Sequence, residues 1–456
     1  MLINNILQMF ERKINEDLKI WATKSKRKPL ILRGARQVGK TTTVDQFSKE
    51  FDHYLYLNLE KESDKLYFEK GLSINELINA LFLTYRITRE NKKTLIFIDE
   101  IQNSVQAIKM LRYFYEEGPD IHIIAAGSLL ETVFDNKISF PVGRVEYMKL
   151  LPCSFEEFLK ASGENQALDI MKNIPVPEYA HSRLSDLFRT YSIIGGMPEA
   201  VAAYLSNQNI YSLSGIYESL IVSMLDDVEK YAKNDSQTKI IRHVIRHSLQ
   251  LSGTRITFQG FGGSGYKNRE ISEAFHMLEK AFLLQLVYPV VKTSIPMEIS
   301  YRRSPKIQMV DTGLVNYYAG IQKDMFLTKM LDDVYQGKIA EHIVGQELKA
   351  LHPSLLYDLH FWTREKSGAS AEVDFIFQHN GLIIPVEVKS GTTGKLRSLF
   401  QFIENAPHPY AVRVFSGSMS VEKGNTPAGK PFILLNLPFY LVSQLPQYLD
   451  WLITES

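Results

Sequence analysis

Apolar residues fall along this chain in short unbroken runs separated by helical stripes. Leu30-Ile31-Leu32 reads as a buried strand, and Thr41-Thr42-Thr43-Val44-Asp45-Gln46-Phe47 reads as the helix after it. His53 to Leu59 alternates as a strand does. Thr94-Leu95-Ile96-Phe97-Ile98 is a second buried strand, Ile121 to Ala126 a third that ends at Gly127-Ser128, and Val145 to Leu150 the last of the set. Strands and helices in alternation predict an α/β fold for this part.

The pattern then changes. From Ser154 to Val222 it is helical with one polar face, broken by Ile194-Gly195-Gly196-Met197-Pro198-Glu199-Ala200. Paired glycines before a proline make a tight turn into a helix. Beyond Thr238, Ile241 to Leu251 is a helix, Gly260 to Gly265 a loop, Ile271 to Leu284 a second helix, and Leu286 to Val290 a strand. Helix, turn, helix, strand is the plan of a winged helix. Lys267 and Arg269 open its second helix and suit DNA contact, although such modules also bind proteins. Tyr301-Arg302-Arg303-Ser304-Pro305-Lys306 reads as a second basic patch. Further on, Gly337-Lys338-Ile339-Ala340-Glu341-His342 opens a helix to Leu348. Glu372 to Phe377 and Ile383 to Lys389 read as strands of a hairpin whose turn holds Asn380-Gly381.

Composition narrows the picture. A chain of 456 residues has room for about three domains. Its net charge of +1 excludes a generally basic protein coating nucleic acid, but not a local basic face. The single cysteine, Cys153, excludes an internal disulfide framework and a cysteine-based metal site, which fits a reducing cytoplasm. Residues 1–20 mix charges among apolar positions at helical spacing, unlike a signal peptide. Runs such as Leu286 to Val291 fall far short of the roughly 20 residues of a membrane span. A cytoplasmic protein without membrane contact is expected.

The chemistry is concentrated in two places. Gly34-Ala35-Arg36-Gln37-Val38-Gly39-Lys40-Thr41 fits the phosphate-loop pattern between a strand and a helix, with Thr42 following. Glycines there let backbone N–H groups turn inward around phosphates. Lys40 is placed to reach the outer phosphates of ATP and Thr41 to set its hydroxyl on magnesium. Asp99 ends a buried strand and is placed to hold that magnesium through water, and Glu100 to act as general base. Arg144, just before the last strand, can serve a neighbouring subunit's ATP or be a plain surface arginine.

The second place lies near the C-terminus. Glu387 and Lys389 are two apart and share a strand face. Asp374 lies on the partner strand, and Glu341 on the helix before it. Three acids and a lysine at one sheet edge would bind a divalent cation through oxygen, and the lysine would activate water against a phosphodiester. That is the plan of restriction-endonuclease-like folds, used either for cutting or as a binding platform.

With these residues assembled, the chain resembles prokaryotic AAA-type ATPases joined to a C-terminal domain of unknown function that is similar to restriction-endonuclease-fold nucleases. The resemblance rests on the phosphate loop, Ile98-Asp99-Glu100-Ile101-Gln102, Gly143-Arg144, Gly195-Gly196-Met197-Pro198, Lys306-Ile307-Gln308-Met309-Val310-Asp311-Thr312-Gly313-Leu314 and the Glu341, Asp374, Glu387, Lys389 set. It implies an ATPase core over 1–153, a helical lid over 154–230, a winged helix over 231–305 and a nuclease-like domain over 306–456. It also implies a sensing role for Ser128 between the acidic motif and the phosphates. The lid lacks a second sensor arginine. The Gly-Gly-Met-Pro turn stands there, similar to a turn of slowly switching signal-transducing ATPases, and would pack on adenine or simply start a helix.

Three functions follow as expectations. One is an ATP-controlled metal-dependent nuclease acting on DNA. Another is a nucleotide-dependent switch whose winged helix and nuclease fold bind DNA or a protein partner. The third is a loader of nucleic acid that does not cut. Glu100 favours hydrolysis in all three, and the Arg144 reading implies a homo-oligomer. The intact acid–lysine set favours the first reading.

Overall fold

The computed structural model describes residues 10–88, 92–118, 120–127, 143–322, 337–364, 371–391 and 396–455. Contacts divide the chain into two units. The first is Met1–Leu151 with Lys280–Phe282 and Pro353–Leu356, and the second is the remainder.

The first unit is built on five parallel strands in the order β2-β3-β4-β1-β5. These are β1 (Leu30–Arg33), β2 (His53–Asn58), β3 (Thr94–Asp99), β4 (His122–Ala126) and β5 (Glu146–Lys149). Every residue of β1, β3 and β4 is buried, as a sheet covered on both faces requires. Leu77, Ile78 and Leu81 of the Ile74–Thr84 helix and Ile108, Leu111 and Phe114 of the Val105–Glu117 helix pack with Ile31, Leu57, Ile96 and Ile98 in one core. Ser73 and Glu76 form a capping box at the start of the first of these helices. The chain turns back across the sheet after β1, so the C-terminal ends of β1 and β3 face the position where such sheets bind ligands.

The second unit carries the helices Phe155–Ala161, Asn165–Met171, His181–Ile194, Pro198–Asn207 and Ser214–Tyr231, then Asp235–Gln250 and Asn268–Lys280. Its sheet has eight strands in the order β12-β13-β11-β10-β9-β8-β6-β7. They are β6 (Leu284–Val290), β7 (Lys306–Met309), β8 (His360–Thr363), β9 (Glu372–His379), β10 (Leu382–Val388), β11 (Tyr410–Phe415), β12 (Ser420–Asn425) and β13 (Pro431–Pro438). β9 and β10 form the expected hairpin, with Asn380 and Gly381 at φ 45° and 78°, both in the left-handed region that a two-residue turn needs. The Arg397–Asn405 helix buries Leu399, Phe402 and Ile403 against Val373, Ile383 and Leu434.

One arrangement differs from the sequence expectation. β6, read as closing a separate winged-helix unit, pairs antiparallel with β7 and also parallel with β8, Tyr288 opposite His360 and Val290 opposite Trp362. Residue 305 therefore lies between two paired strands. The reason is physical: β6 is buried at every residue but Tyr288, and buried backbone needs partners, which β7 supplies to Leu284–Val287 and β8 to Tyr288–Val290.

Among the described residues no helix is long and apolar enough to cross a membrane.

Candidate functional site

The phosphate loop begins where β1 ends. Gly34 is held under Leu150, whose N–H donates to Arg33 O at 2.7 Å, and a Cβ at Gly34 would overlap the Leu150 carbonyl. Gln37 (φ 62°) and Gly39 (φ 92°) take left-handed conformations, and Gly39 caps the Lys40–Phe47 helix. Alternating hands of this kind turn N–H groups into one concavity. Ala35 and Val38 are buried beneath the loop, Arg36 is half-buried and Gln37 is exposed. Thr42 follows Thr41 in the first helical turn and is half-buried.

Lys40 is 9% exposed, and its Nζ donates to Gly34 O at 2.9 Å and Ala35 O at 2.8 Å. Burial pulls its ammonium down to about 8, with Glu100 and Asp99 opposing. Thr41 Oγ1 donates to Asp99 Oδ2 at 2.8 Å, and Tyr56 donates to the same oxygen at 3.3 Å. Burial pushes the Asp99 carboxyl upward. A hydroxyl and a carboxylate in contact at the loop suit a hard cation with oxygen ligands, so this donor set fits magnesium with ATP. Glu100 sits at φ 52°, a costly conformation for a residue with a side chain. Its side chain accepts from Gln102 Nε2.

Ser128 lies outside the described residues. Arg144 is described: its Nε donates to Glu116 Oε1 at 2.9 Å, and its guanidinium stands 6.0 Å from the Tyr115 ring centre. Two residues here escaped sequence reading. Arg12, 5% exposed, braces the loop by donating to Val38 O at 2.9 Å and Leu151 O at 2.6 Å. Tyr56 lines Asp99 because β2 pairs with β3. The only sequence signal for either was a polar group inside an apolar pattern.

The acid–lysine set lies in the second unit. Asp374 Oδ2 accepts the Val388 N–H at 2.8 Å, and Lys389 Nζ lies 2.6 Å from Glu387 Oε1. Asp374 and Glu341 meet at a group that sequence reading assigned elsewhere. Lys306 Nζ is 2.7 Å from Glu372 Oε1, 3.0 Å from Glu341 Oε2 and 3.7 Å from Asp374 Oδ1. Lys306 therefore does not belong to a surface basic patch; it is 7% exposed, drawn inward by three carboxylates. Arg303 of the same segment is tied to Thr363 Oγ1 at 2.6 Å and Arg364 O at 2.8 Å. Burial alone would lower the Lys306 ammonium, but Glu341, Asp374 and Glu372 outweigh it and hold it charged. Burial raises Glu341 and Glu387, and Asp374 adds to both.

Among the described residues no group of three or more His, Cys, Asp or Glu side chains is arranged to hold a metal ion. Glu341, Asp374 and Glu387 are gathered, but around ammonium groups. As arranged, this donor set does not fit a divalent cation.

The Gly195-Gly196 turn packs on the Asp311–Leu314 segment. Asp311 Oδ2 accepts the Gly196 N–H at 2.6 Å and Oδ1 accepts the Leu314 N–H at 3.1 Å, while Cys153 N–H donates to Gly196 O at 2.7 Å. Two short motifs that looked independent in the sequence form one buried clasp.

Residues 26–159 match the family described as AAA domain, residues 185–325 a domain of unknown function (DUF8612), and residues 336–440 another (DUF4143). No curated protein matches the chain. Among solved structures, a Walker-type ATPase of Pyrococcus abyssi is similar at 15% identity and TM-score 0.44, over 68% of this chain and 96% of that one. The Aeropyrum pernix ORC1 protein in complex with DNA is similar at 12% identity and TM-score 0.28, over 71% and 94%. A RuvB variant of Thermotoga maritima follows at 13% and 0.27, over 63% and 91%. The AAA-domain match takes in the phosphate loop, Asp99, Glu100 and Arg144.

Proposed function

We propose that this chain binds and hydrolyses ATP with magnesium, and that its nucleotide state governs a DNA-directed, nuclease-like region in the second unit. The observation that carries the first part is the contact of Thr41 with Asp99 beside Lys40 and Glu100. Thr41 and Asp99 would hold magnesium, which neutralises charge on the phosphates. Lys40 leaves the loop carbonyls and gives its ammonium to the outer phosphates. Glu100, oriented by Gln102, takes the proton of the attacking water. Replacing Lys40 with Ala should abolish ATP turnover, and Glu100→Gln should preserve binding of ATP while stopping hydrolysis. Turnover that persists in Lys40→Ala sinks the assignment.

In the second unit we read the helices Asp235–Gln250 and Asn268–Lys280, with β6 and β7 behind them, as a winged helix. Lys267 and Arg269 would face phosphates; Arg269 is exposed and bridges to Glu273 on its own helix. The helices between residues 154 and 231 are read as the lid. Asp374, Glu387, Lys389 and Glu341 are the residue types of metal-dependent nuclease chemistry, here gathered around ammonium groups, so the nuclease reading requires them to rearrange. The test is cleavage of labelled duplex and branched DNA with magnesium or manganese, with and without ATP, beside Asp374→Ala. Cleavage lost in that variant supports the reading.

A second reading has its own observation. The buried Lys306 among the carboxylates favours a nucleotide-dependent switch in which the nuclease fold is a binding platform for DNA or protein. DNA binding without cleavage, and steeply weakened by salt, would be its signature.

A further inference from the structure

We propose that Lys306 is a built-in cation that occupies the position of a divalent metal in the Glu341–Glu372–Asp374–Glu387 site, so that the site is closed by the protein's own ammonium. The inference rests on reading these oxygens as a cation site, and it explains why they hold no metal geometry as they stand.

Four observations carry it. Lys306 Nζ is shared by carboxylates from two elements, Glu372 and Asp374 on β9 and Glu341 on the Lys338–Ala350 helix. A cation bound by oxygens from separate elements is how metal sites are built, and one lysine performs that task here. Lys306 is 7% exposed, and the Phe361 ring centre lies 5.2 Å from Nζ, so its charge is met by the carboxylates and the ring. Glu387 Oε2 is buried and has no hydrogen-bond partner, although Oε1 of the same group meets Lys389. An unpartnered carboxylate oxygen in such a place is costly unless a cation can reach it. Finally, Arg255 already neutralises Glu372 through its other oxygen at 2.7 Å. The set thus has charge for Lys306 and a spare oxygen beyond it.

Lys306 is also fixed in place from both sides: it begins β7, which pairs with β6 on one side, while on the other Arg255 bridges Lys306 and the Gly253 N–H donates to Ile307 O at 2.8 Å.

The experiment is manganese binding to the full nucleotide-free chain, followed by calorimetry and by the electron paramagnetic resonance of free Mn²⁺. Lys306→Met keeps the length and removes the charge. It should gain a Mn²⁺ site, ~10-fold or more tighter than anything wild type shows, because affinity follows the number of free ligand charges. Adding Asp374→Asn to that variant should remove the gain. A folded Lys306→Met that binds Mn²⁺ no better than wild type overturns the proposal. Should the variant not fold, wild type carrying ¹⁵N-lysine gives the answer. The Lys306 ammonium signal should stay sharp at Mn²⁺ concentrations that broaden exposed lysines, and broadening that Asp374→Asn abolishes overturns the proposal. A gained Mn²⁺ site with no DNA cleavage by any form leaves this inference standing and removes the nuclease reading. Cleavage by a wild type that already binds Mn²⁺ tightly through Asp374 does the reverse.

Discussion

Glu347 is 1% exposed, and one oxygen accepts the Phe155 N–H at 3.1 Å and the Tyr191 hydroxyl at 2.6 Å. Burial pushes its carboxyl up to about 8. A folded pKa above the unfolded one means its stabilising proton is fully present below about 4.3, the unfolded value. The contribution is then lost as pH rises towards 8, at up to ~1.4 kcal/mol per pH unit. Urea midpoints of wild type should therefore fall between pH 5 and pH 8 more steeply than those of Glu347→Gln, which keeps the shape and has no proton to lose. Equal slopes in the two proteins would exclude Glu347 as the source. The contrast with Lys40 shows what a sequence reveals about single residues. Lys40, Thr41 and Asp99 were legible because phosphate chemistry demands them within a short local pattern. Glu347 and Lys306 were not, because their meaning lies in partners from distant strands and helices. Lys306 even carried the opposite expectation, since a lysine beside two arginines reads as surface charge until its three carboxylate partners are known.

At the scale of elements, apolar runs located β1, β3 and β4 and the β9–β10 hairpin, because burial and turn chemistry are local properties. Pairing order was not local. Nothing in Leu284–Val290 says that it lies between β7 and β8, and so the end of one expected domain became the interior of a larger sheet. The same limit applied to the Gly195-Gly196 turn, which sequence left between a helix start and an adenine contact. Its described contacts are with Asp311, Gly313 and Cys153. Gly195 stands at φ 71° and ψ −167°, a region nearly closed to other residues. A Cβ there would lie 2.5 Å from Gly313 N and overlap the Asp311 carboxylate. Gly195→Ala should cost ~3 kcal/mol or more, combining backbone strain with the displaced clasp. Gly71 is the control: it also has positive φ, at 68°, but a Cβ would meet nothing within 4 Å. Gly71→Ala should cost only ~1–2 kcal/mol. Chemical denaturation of the three proteins decides the matter, and equal losses would mean that the clasp adds nothing to the turn.

At the scale of the whole molecule, the near-neutral charge left assembly open, and one arginine carries the question. Arg144 is 41% exposed at its side chain and held by Glu116, itself partly exposed. An exposed pair of this kind contributes little to stability, so Arg144 can leave it for a stronger anion. If the anion is the outer phosphate of ATP on a neighbouring subunit, hydrolysis requires assembly. Turnover per subunit should then rise with protein concentration and level off once subunits are paired. Arg144→Ala should bind fluorescent ATP as wild type does, lose ~10³-fold or more in turnover and show no concentration dependence. Glu116→Ala releases the arginine and should leave turnover intact, which separates a role on phosphate from a role in holding the subunit together. Turnover that is constant with concentration and unchanged in Arg144→Ala would reduce Arg144 to a surface residue and leave the ATPase domain complete within one chain.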